Sequence, residues 1–148
     1  MIKSFNGTFR WLSNFWPAEV MFEGVKYLSV EHAYVAAKTF DLNLRQEIKD
    51  IPKANKVKLF GRKMKIREDW TDQLRLEIME DLVRQKFSNN KDLKELLLLT
   101  DNEEIVEGNS WHDLFFGKCS CEKHNNEGQN NLGKIIMKVR QELKENNT

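Results

Sequence analysis

The feature that most constrains this chain is the segment 11–40, where a loop rich in aromatic residues leads into the start of a helix. Ser29 is a favourable N-cap, because its hydroxyl accepts a hydrogen bond from a free N–H group of the first turn. Glu31 and His32 then occupy the second and third helical positions, and Lys38 places a cation at the C-terminal end. The pattern predicts a helix over 29–40 whose first turn carries a carboxylate.

Glu31 has two interpretations. A carboxylate in the first turn complements the helix dipole and needs no other role. However, four large aromatic residues precede it, and Pro17 and Gly24 are typical of turns that hold such a loop rigid. Asn14 and Phe15 place a small polar group beside a ring, which suits binding a sugar and stacking a base. We therefore treat Glu31 as a candidate functional residue near an aromatic wall.

Composition bounds the chain to one domain with one core, spanning residues 1–148. Lys and Arg (24) nearly balance Asp and Glu (23), so global charge favours neither a nucleic-acid nor a membrane partner. No apolar run is long enough for a transmembrane helix, and the N-terminus lacks the apolar region of a signal peptide. Two neighbouring cysteines fit a reducing compartment, so we expect a cytoplasmic protein.

The N-terminal half is predicted to combine a small β element with helices. A strand over 1–9 and a hairpin over 18–28 are expected. Asp41 is the predicted cap of the second helix, which Ile51 ends. Pro52 is then expected at the first position of a helix that extends to Met64.

The C-terminal half is predicted to be helical around one long loop. Apolar residues from Trp70 onward keep helical spacing over about five turns, and a second apolar helix follows over 92–99. Gly108 and Asn109 are expected to turn the chain before a loop over 110–130, and a last helix precedes a frayed end at 146–148. The predicted fold class is mainly α: a single irregular multihelical domain with a small N-terminal β element.

The segment 107–117 carries three aromatic residues, a histidine and an aspartate. Taken alone, Asp113 fits an Asx turn. Together with Glu31 it fits cleavage of a glycosidic bond, where one carboxylate stabilises a positive carbon or activates water and the other protonates the leaving group or orients the sugar. The helix N-terminus favours ionised Glu31 as base or charge stabiliser. The sequence leaves open which acid has which role.

A basic run covers residues 53–67 and contains no acid. One interpretation is a solvated helix face. The other is a phosphate site at Gly61 and Arg62, because glycine allows close backbone approach and arginine binds phosphate through two hydrogen bonds. The cations are Lys53, Lys56, Lys58, Arg62, Lys63, Lys65 and Arg67.

Cys119, Cys121, His124 and the nearby His112 are residue types that bind zinc. Their C-x-C spacing is less common than C-x-x-C in zinc sites. We therefore expect no metal and interpret the segment as a reduced, flexible loop, with zinc as the alternative.

Six segments of the chain resemble the YbiA-like family, also called NADAR for NAD and ADP-ribose. The S-x-E-H helix start, the W-H-D-x-x-F/W-G segment and the N-x-L-G segment form a specific combination. The matching segments occur in family order at 12–17, 22–40, 61–70, 82–87, 108–117 and 128–140.

The resemblance implies a mainly helical N-glycosidase without a metal or redox cofactor. Family members cleave early riboflavin intermediates, in which a pyrimidine is linked to ribose 5-phosphate, or remove ADP-ribose from guanine in nucleic acid. By position, Glu31 and Asp113 would be the essential acids, and Trp70 and Phe116 would line the pocket. The implied substrate contacts are Asn14, Phe15, Lys38, Arg62 and Trp111.

This chain departs from the family pattern in two places. Family members have Trp where this chain has Phe116, which keeps stacking but loses an N–H donor. The link that follows, 118–131, is longer than in the family. Three functions are therefore considered: cleavage of a phosphorylated N-riboside, hydrolysis of ADP-ribosylated guanine in nucleic acid, and non-catalytic binding of NAD or ADP-ribose.

Overall fold

The computed structural model describes residues 1–146, which form two compact units. The middle unit is Asn14–Lys86, and the terminal unit combines residues 1–13 with 87–146. The predicted mainly helical class is confirmed. The described helices are a 3-10 helix (Gly7–Leu12), α1 (Val30–Ala37), α2 (Leu42–Asp50), α3 (Ala54–Arg62), α4 (Asp72–Ser88), α5 (Lys91–Leu99) and α6 (Asn131–Asn146), and the strands are β1 (Val20–Phe22), β2 (Val25–Tyr27), β3 (Gly108–Asn109) and β4 (Lys118–Cys119).

Helix α1 is the centre of the middle unit. Its residues are hydrophobic on nearly every side, as expected for a helix that neighbours cover all round. Helices α2 and α3 and the β1–β2 hairpin pack on it. The hairpin pairs Val20 with Tyr27 and Phe22 with Val25, and it turns through left-handed backbone at Glu23 and Gly24.

Two arginines complete the C-terminal end of α1. Nε of Arg45 donates to the carbonyls of Ala36 (3.1 Å) and Thr39 (2.8 Å), and Nη1 of Arg67 donates to the carbonyl of Ala37 (3.2 Å). These bonds add side-chain donors to carbonyl groups in the last turn of α1 and just beyond it. They also fix the position of Lys38, the residue that follows the helix.

The terminal unit has its own core, built on α5 and α6, which pack together. Trp11 and Phe87 contact edge to face, with ring centres 6.3 Å apart. Strand β3 pairs in parallel with β4, and Ile2 forms an isolated bridge with Ile105. Apolar residues of α6, among them Ile136 and Val139, are fully buried.

The structure corrects three local predictions. Residues 1–9 are not a strand, since Gly7 begins a 3-10 helix. Pro52 precedes the N-cap of α3 by one residue instead of opening that helix. Gly108 and Asn109 are a strand instead of a turn, because Lys118 and Cys119 pair with them.

Helix ends also differ slightly from the prediction. Helix α1 ends at Ala37 and α4 begins at Asp72, where Thr71 accepts the N–H of Leu74. The prediction of a frayed end covers residues 146–148. Asn146 is the last residue of α6, and residues 147–148 lie outside the described part. None of the helices in the described residues is long and apolar enough to cross a membrane.

Candidate active site

Glu31 lies in the first turn of α1, as predicted. Ser29 caps the helix, and its side chain accepts the backbone N–H of His32 at 3.1 Å. The backbone N–H of Glu31 donates to the carbonyl of Asn14 (3.1 Å), which ties the aromatic loop to the helix start. Glu31 is partly buried. The carboxylate is therefore held at a helix N-terminus, where the dipole favours its negative charge.

His32, although adjacent to Glu31, has a structural role. Its ring is buried, with Nε2 2.7 Å from the carbonyl oxygen of Ile51 and Nδ1 2.6 Å from the hydroxyl of Ser29. Because a carbonyl only accepts, we assign the proton to Nε2, and Nδ1 then accepts from Ser29. Both nitrogens are engaged, so His32 joins the start of α1 to the end of α2.

Three cations accompany Glu31 in the middle unit. Lys38 follows Glu31 by two helical turns, so both leave the same side of α1. Burial lowers the pKa of the Lys38 ammonium, Glu31 acts to raise it, and Arg75 and Lys58 lower it further. The net pKa is below the ordinary value for lysine. Lys38 therefore lies within electrostatic range of one carboxylate, Glu31, and of two further cations, Lys58 and Arg75.

Aromatic rings lie among these charges. Nε of Arg75 lies 3.4 Å from the Tyr34 hydroxyl, and the Tyr34 ring centre lies 5.4 Å from that of Trp70. Nζ of Lys38 is 5.3 Å from the centre of the Tyr34 ring, and Nζ of Lys58 is 6.0 Å from that of Phe15. We call this group the Glu31 cluster; its members are Phe15, Glu31, Tyr34, Lys38, Lys58, Trp70 and Arg75.

Four residues that were predicted to contact the substrate or line its pocket lie in the same unit as Glu31. Phe15, Lys38 and Trp70 belong to the cluster. Asn14 accepts the Glu31 N–H through its carbonyl, while its amide nitrogen lies 3.5 Å from the sulfur of Met79.

Arg62 has a different environment, since it is exposed at the last position of α3. No contact described within the middle unit joins Arg62 to the Glu31 cluster. Gly61 is buried against α1: a Cβ there would lie 2.9 Å from Cγ1 of Val35. Glycine is thus required here for helix packing, and the expectation that it allows a phosphate close to the backbone is replaced.

Asp113 lies in the terminal unit, and its carboxylate organises the backbone that follows it. Oδ1 accepts the N–H groups of Phe115 (3.1 Å) and Phe116 (2.9 Å), which is the predicted Asx-type turn. The side chain of Asn109 binds the Asp113 backbone twice, accepting its N–H at 3.1 Å and donating to its carbonyl at 3.0 Å. Asp113 is partly buried, so the turn and a carboxylate reachable by substrate are compatible.

The two aromatic candidates near Asp113 differ in exposure. Phe116 is 8% exposed and packs edge to face on Phe115, with centres 4.8 Å apart. Trp111 is 50% exposed and borders a cavity of about 620 Å³ together with Lys3, Asn6 and Asn109. Trp111 is therefore the more accessible ring of this unit, whereas Phe116 belongs to its packed interior.

Sequence reasoning missed Tyr34, Lys58 and Arg75 as members of the Glu31 cluster, and Asn109 as the support of Asp113. Tyr34 carried a usable signal, since it follows Glu31 by three residues on one helix face. Lys58 was noted only as one cation of the basic run, and Arg75 comes from α4, which sequence spacing does not connect to Glu31.

The fold and the Glu31 cluster define a mainly helical protein in which one carboxylate lies among cations and aromatic rings. The family model described as the NADAR domain matches residues 3–144, and so extends over both units. The chain belongs to the NADAR domain family, which confirms the resemblance found in its sequence motifs.

Individual relatives agree with this assignment. A Vibrio vulnificus protein named a riboflavin biosynthesis protein is 35% identical over 136 residues, covering 90% of this chain and 35% of that protein. The chain thus spans about a third of that relative. A Nostoc punctiforme protein named an N-glycosidase is 34% identical over 137 residues, covering 89% of this chain and 84% of that protein.

The fold itself is similar to that of a solved structure. The NMR structure of the Escherichia coli protein YbiA has a TM-score of 0.81 to this chain at 24% identity. The similarity covers 99% of this chain and 84% of that one, so the fold is YbiA-like.

Proposed function

We propose that this chain is an N-glycosidase that hydrolyses the bond between a base and a phosphorylated ribose. The observation that supports this most strongly is the Glu31 cluster, where one carboxylate lies among three cations and three rings. Cations suit the phosphate and rings suit the base, while the carboxylate suits a positively charged transition state. The relatives named N-glycosidase and riboflavin biosynthesis protein agree with this activity.

The proposed substrates are early riboflavin intermediates, in which a pyrimidine is bonded to ribose 5-phosphate. Lys38, Lys58 and Arg75 would hold the phosphate, since Lys38 interacts with Glu31 and the other two cations interact with Lys38. Phe15, Trp70 and Trp111 would contact the base or sugar, with Asn14 as a polar contact. Arg62 and Phe116 remain candidates from sequence position. Because Arg62 is exposed and Phe116 buried, we rank both below the residues of the cluster.

In the proposed reaction the bond between the ribose carbon and the base nitrogen breaks, and water supplies the new hydroxyl group. Glu31, held at a helix N-terminus, would stabilise the positive carbon or take a proton from water. Asp113 would be the second essential acid, and it would orient the sugar or give a proton to the departing base. Its Oδ1 already holds two backbone N–H groups, so Oδ2 would face the substrate. We place the enzyme in the cytoplasm, where both cysteines stay reduced.

Product analysis by mass spectrometry tests the activity. Wild type, Glu31→Gln and Asp113→Asn would be incubated with phosphorylated pyrimidine ribosides, and free base and ribose 5-phosphate would be measured. We expect both products from wild type and a loss of at least about a hundredfold in each variant. Glu19→Gln, an exposed carboxylate of the same unit, is the matched control and should retain full activity. Circular dichroism would confirm that all variants fold.

Two results would contradict the proposal. Wild-type turnover by Glu31→Gln would remove the assigned role of that carboxylate. Tight binding of ADP-ribose with no product from any glycoside would instead indicate a non-catalytic module for NAD or ADP-ribose.

A second candidate function is removal of ADP-ribose from guanine in DNA or RNA. The observation that favours it is the run 53–67, in which Lys53, Lys56, Arg62, Lys63 and Lys65 are exposed and no acid intervenes. A strand of nucleic acid lying on this face would release counterions, so its binding should weaken steeply with salt. Comparing an ADP-ribosylated oligonucleotide with the free nucleoside at two salt concentrations discriminates the two substrates.

A further inference from the structure

Four side chains that bind metals converge in the terminal unit. They are His112, Cys119, Cys121 and His124, whose ligand atoms all lie within 4.8 Å of one another. Both cysteines are unpaired by disulfide. The mechanism proposed above uses none of these four residues. We propose that they form a structural zinc site of the Cys2His2 type.

The distances fit a common tetrahedral centre. Zinc bonds of about 2.3 Å to sulfur and about 2.0–2.1 Å to nitrogen would put ligand atoms about 3.3–3.8 Å apart. The two sulfurs are 3.0 Å apart, and the Nδ1 atoms of the two histidines are 3.2 Å apart. Nδ1 of His112 lies 3.4 Å from the Cys121 sulfur and 3.8 Å from that of Cys119. The two sulfurs are about 0.8 Å closer than in a zinc tetrahedron, so they would have to move apart on binding, whereas the separations to Nδ1 of His112 already match one to within about 0.3 Å.

The backbone brings the four ligands together from two separate segments. Parallel pairing of β3 with β4 sets Cys119 beside Asn109, three residues before His112. The N–H of Cys119 donates to Glu127 (2.9 Å) and the N–H of Asn126 donates back to Cys119 (2.7 Å), so the loop returns on itself. Within it, the Cys121 carbonyl accepts the N–H of His124 at 3.1 Å. The convergence is therefore supported by backbone hydrogen bonds within the loop.

The environment of Cys119 also suits a metal ligand, which must be a thiolate. Cys119 is buried, and its sulfur lies 3.0 Å from the sulfur of Cys121 and 3.8 Å from Nδ1 of His112, so the other ligands enclose it. Four protein ligands would fill a tetrahedral site and leave no position for water or substrate. The zinc would accordingly stabilise the loop without taking part in the reaction.

The site would fix the segment that carries Asp113. His112 immediately precedes Asp113 and has left-handed backbone (φ 71°), so the metal would hold this residue in a conformation that L residues rarely adopt. Glu122 and Lys123 stay exposed on the same loop. Any effect of the zinc on catalysis by Asp113 rests on the proposed function. Zinc binding itself does not depend on that function. This conclusion departs from our sequence-based expectation of no metal, and it gives the longer link 118–131 a structural role.

The test measures zinc content and thiol protection, neither of which depends on catalysis. Full-length wild type, Cys121→Ser, His124→Ala and the control Glu122→Gln would be produced with zinc in the medium, desalted under a phosphine reductant and analysed by mass spectrometry for metals. We expect about one zinc per chain in wild type and control, and a loss of at least about tenfold in both ligand variants. Replacement by cobalt should give the visible absorption of a tetrahedral centre with two sulfur ligands. Both wild-type thiols should react with a thiol reagent only after a chelator is added.

Three outcomes would overturn the zinc site. Free thiols in metal-free wild type would show a cluster held by hydrogen bonds alone, and a Cys119–Cys121 disulfide that survives the reductant would show a redox pair. Iron in place of zinc would show a different centre. Because substitution of a ligand can itself cause misfolding, the thiol assay on wild type tests the zinc site without using any variant. Zinc binding without N-glycosidase activity would leave this proposal intact and contradict the proposed function alone.

Discussion

The side chain of Asn109 binds the backbone of Asp113 at two points, with its Oδ1 3.1 Å from the Asp113 nitrogen and its Nδ2 3.0 Å from the Asp113 carbonyl oxygen. Asn109 is 4% exposed and lies on β3. This arrangement holds the proposed acid by its backbone and leaves its carboxylate to other contacts. Asn109 is therefore a positioning residue.

Replacing Asn109 by leucine at similar volume removes both of these bonds and a third, from its Nδ2 to Oε2 of Glu107 (3.0 Å). We expect kcat to fall about tenfold to a hundredfold with a smaller change in KM, because a carboxylate displaced by about 1 Å loses alignment with the reacting bond. Leaving buried groups unpaired should also cost about 1–3 kcal/mol in stability. Steady-state kinetics and denaturant unfolding measure the two effects.

Thr100→Val is the matched control for this prediction. Thr100 is also buried in the same unit, and its hydroxyl donates to the carbonyl of Leu97 and accepts from Arg140. It should lose similar stability while keeping kcat. Equal kcat in Asn109→Leu and Thr100→Val would show that Asn109 has no role beyond stability.

The second prediction concerns the cations of the Glu31 cluster. Arg75→Gln and Lys58→Gln should raise KM for a phosphorylated riboside about tenfold with little change in kcat, because each removes a charge-assisted contact to the phosphate. Lys56→Gln, an exposed cation on α3, is the control and should leave KM unchanged. An equal rise in KM in all three variants would show that general surface charge, and not a specific contact to the phosphate, causes the effect.

Lys38 should give a pH dependence that distinguishes it from the other cations. Burial is the main cause of its lowered pKa, so Lys38 loses its charge at a lower pH than an ordinary lysine. KM for the phosphorylated substrate should therefore rise as pH increases through that pKa. Lys38→Arg keeps its charge and should move the rise to higher pH. A KM profile that is identical in wild type and Lys38→Arg would exclude Lys38 as the titrating group.

Features set by local sequence were predicted well. Ser29 and Asp41 cap α1 and α2 as expected, because a capping side chain bonds to N–H groups two or three residues away. The strand β3 was missed because a two-residue strand has no local pattern, and its existence depends on Lys118 and Cys119 pairing with it. The same pairing brings Cys119 toward His112, so the sequence showed the ligand types without their convergence.

For the site as well, sequence patterns identified residues that are related locally and missed those brought together by distant contacts. Glu31 and Lys38 share one helix face, and both were identified from the sequence. Arg75 reaches Tyr34 from α4, 41 residues further along the chain, and no spacing rule connects them. Gly61 was assigned to phosphate approach because glycine serves that role in many loops, whereas here it faces Val35 across a helix contact.

Gly61→Ala tests that helix contact. A Cβ would lie 2.9 Å from Cγ1 and 3.3 Å from Cγ2 of Val35, a branched side chain with little freedom to move. Overpacking should cost about 1–3 kcal/mol and exceed the gain of about 1 kcal/mol from the helix propensity of alanine. In the background of Val35→Ala the same substitution should be less destabilising, and a double-mutant cycle by denaturant unfolding measures the coupling. Purely additive energies would show that Gly61 and Val35 do not clash.

Lys86 should make stability depend on pH. It is 1% exposed, and burial lowers its pKa from 10.5 to about 7. Between these values the unfolded chain binds the proton and the folded chain does not, so the free energy of unfolding should rise with pH from about 7 to 10.5. At 1.36 kcal/mol for each pKa unit, the full gain is on the order of a few kcal/mol. Lys86→Met should remove this rise, while the exposed control Lys91→Met should keep it. Denaturant unfolding of the three proteins at several pH values measures the difference, and parallel curves for wild type and Lys86→Met would contradict it.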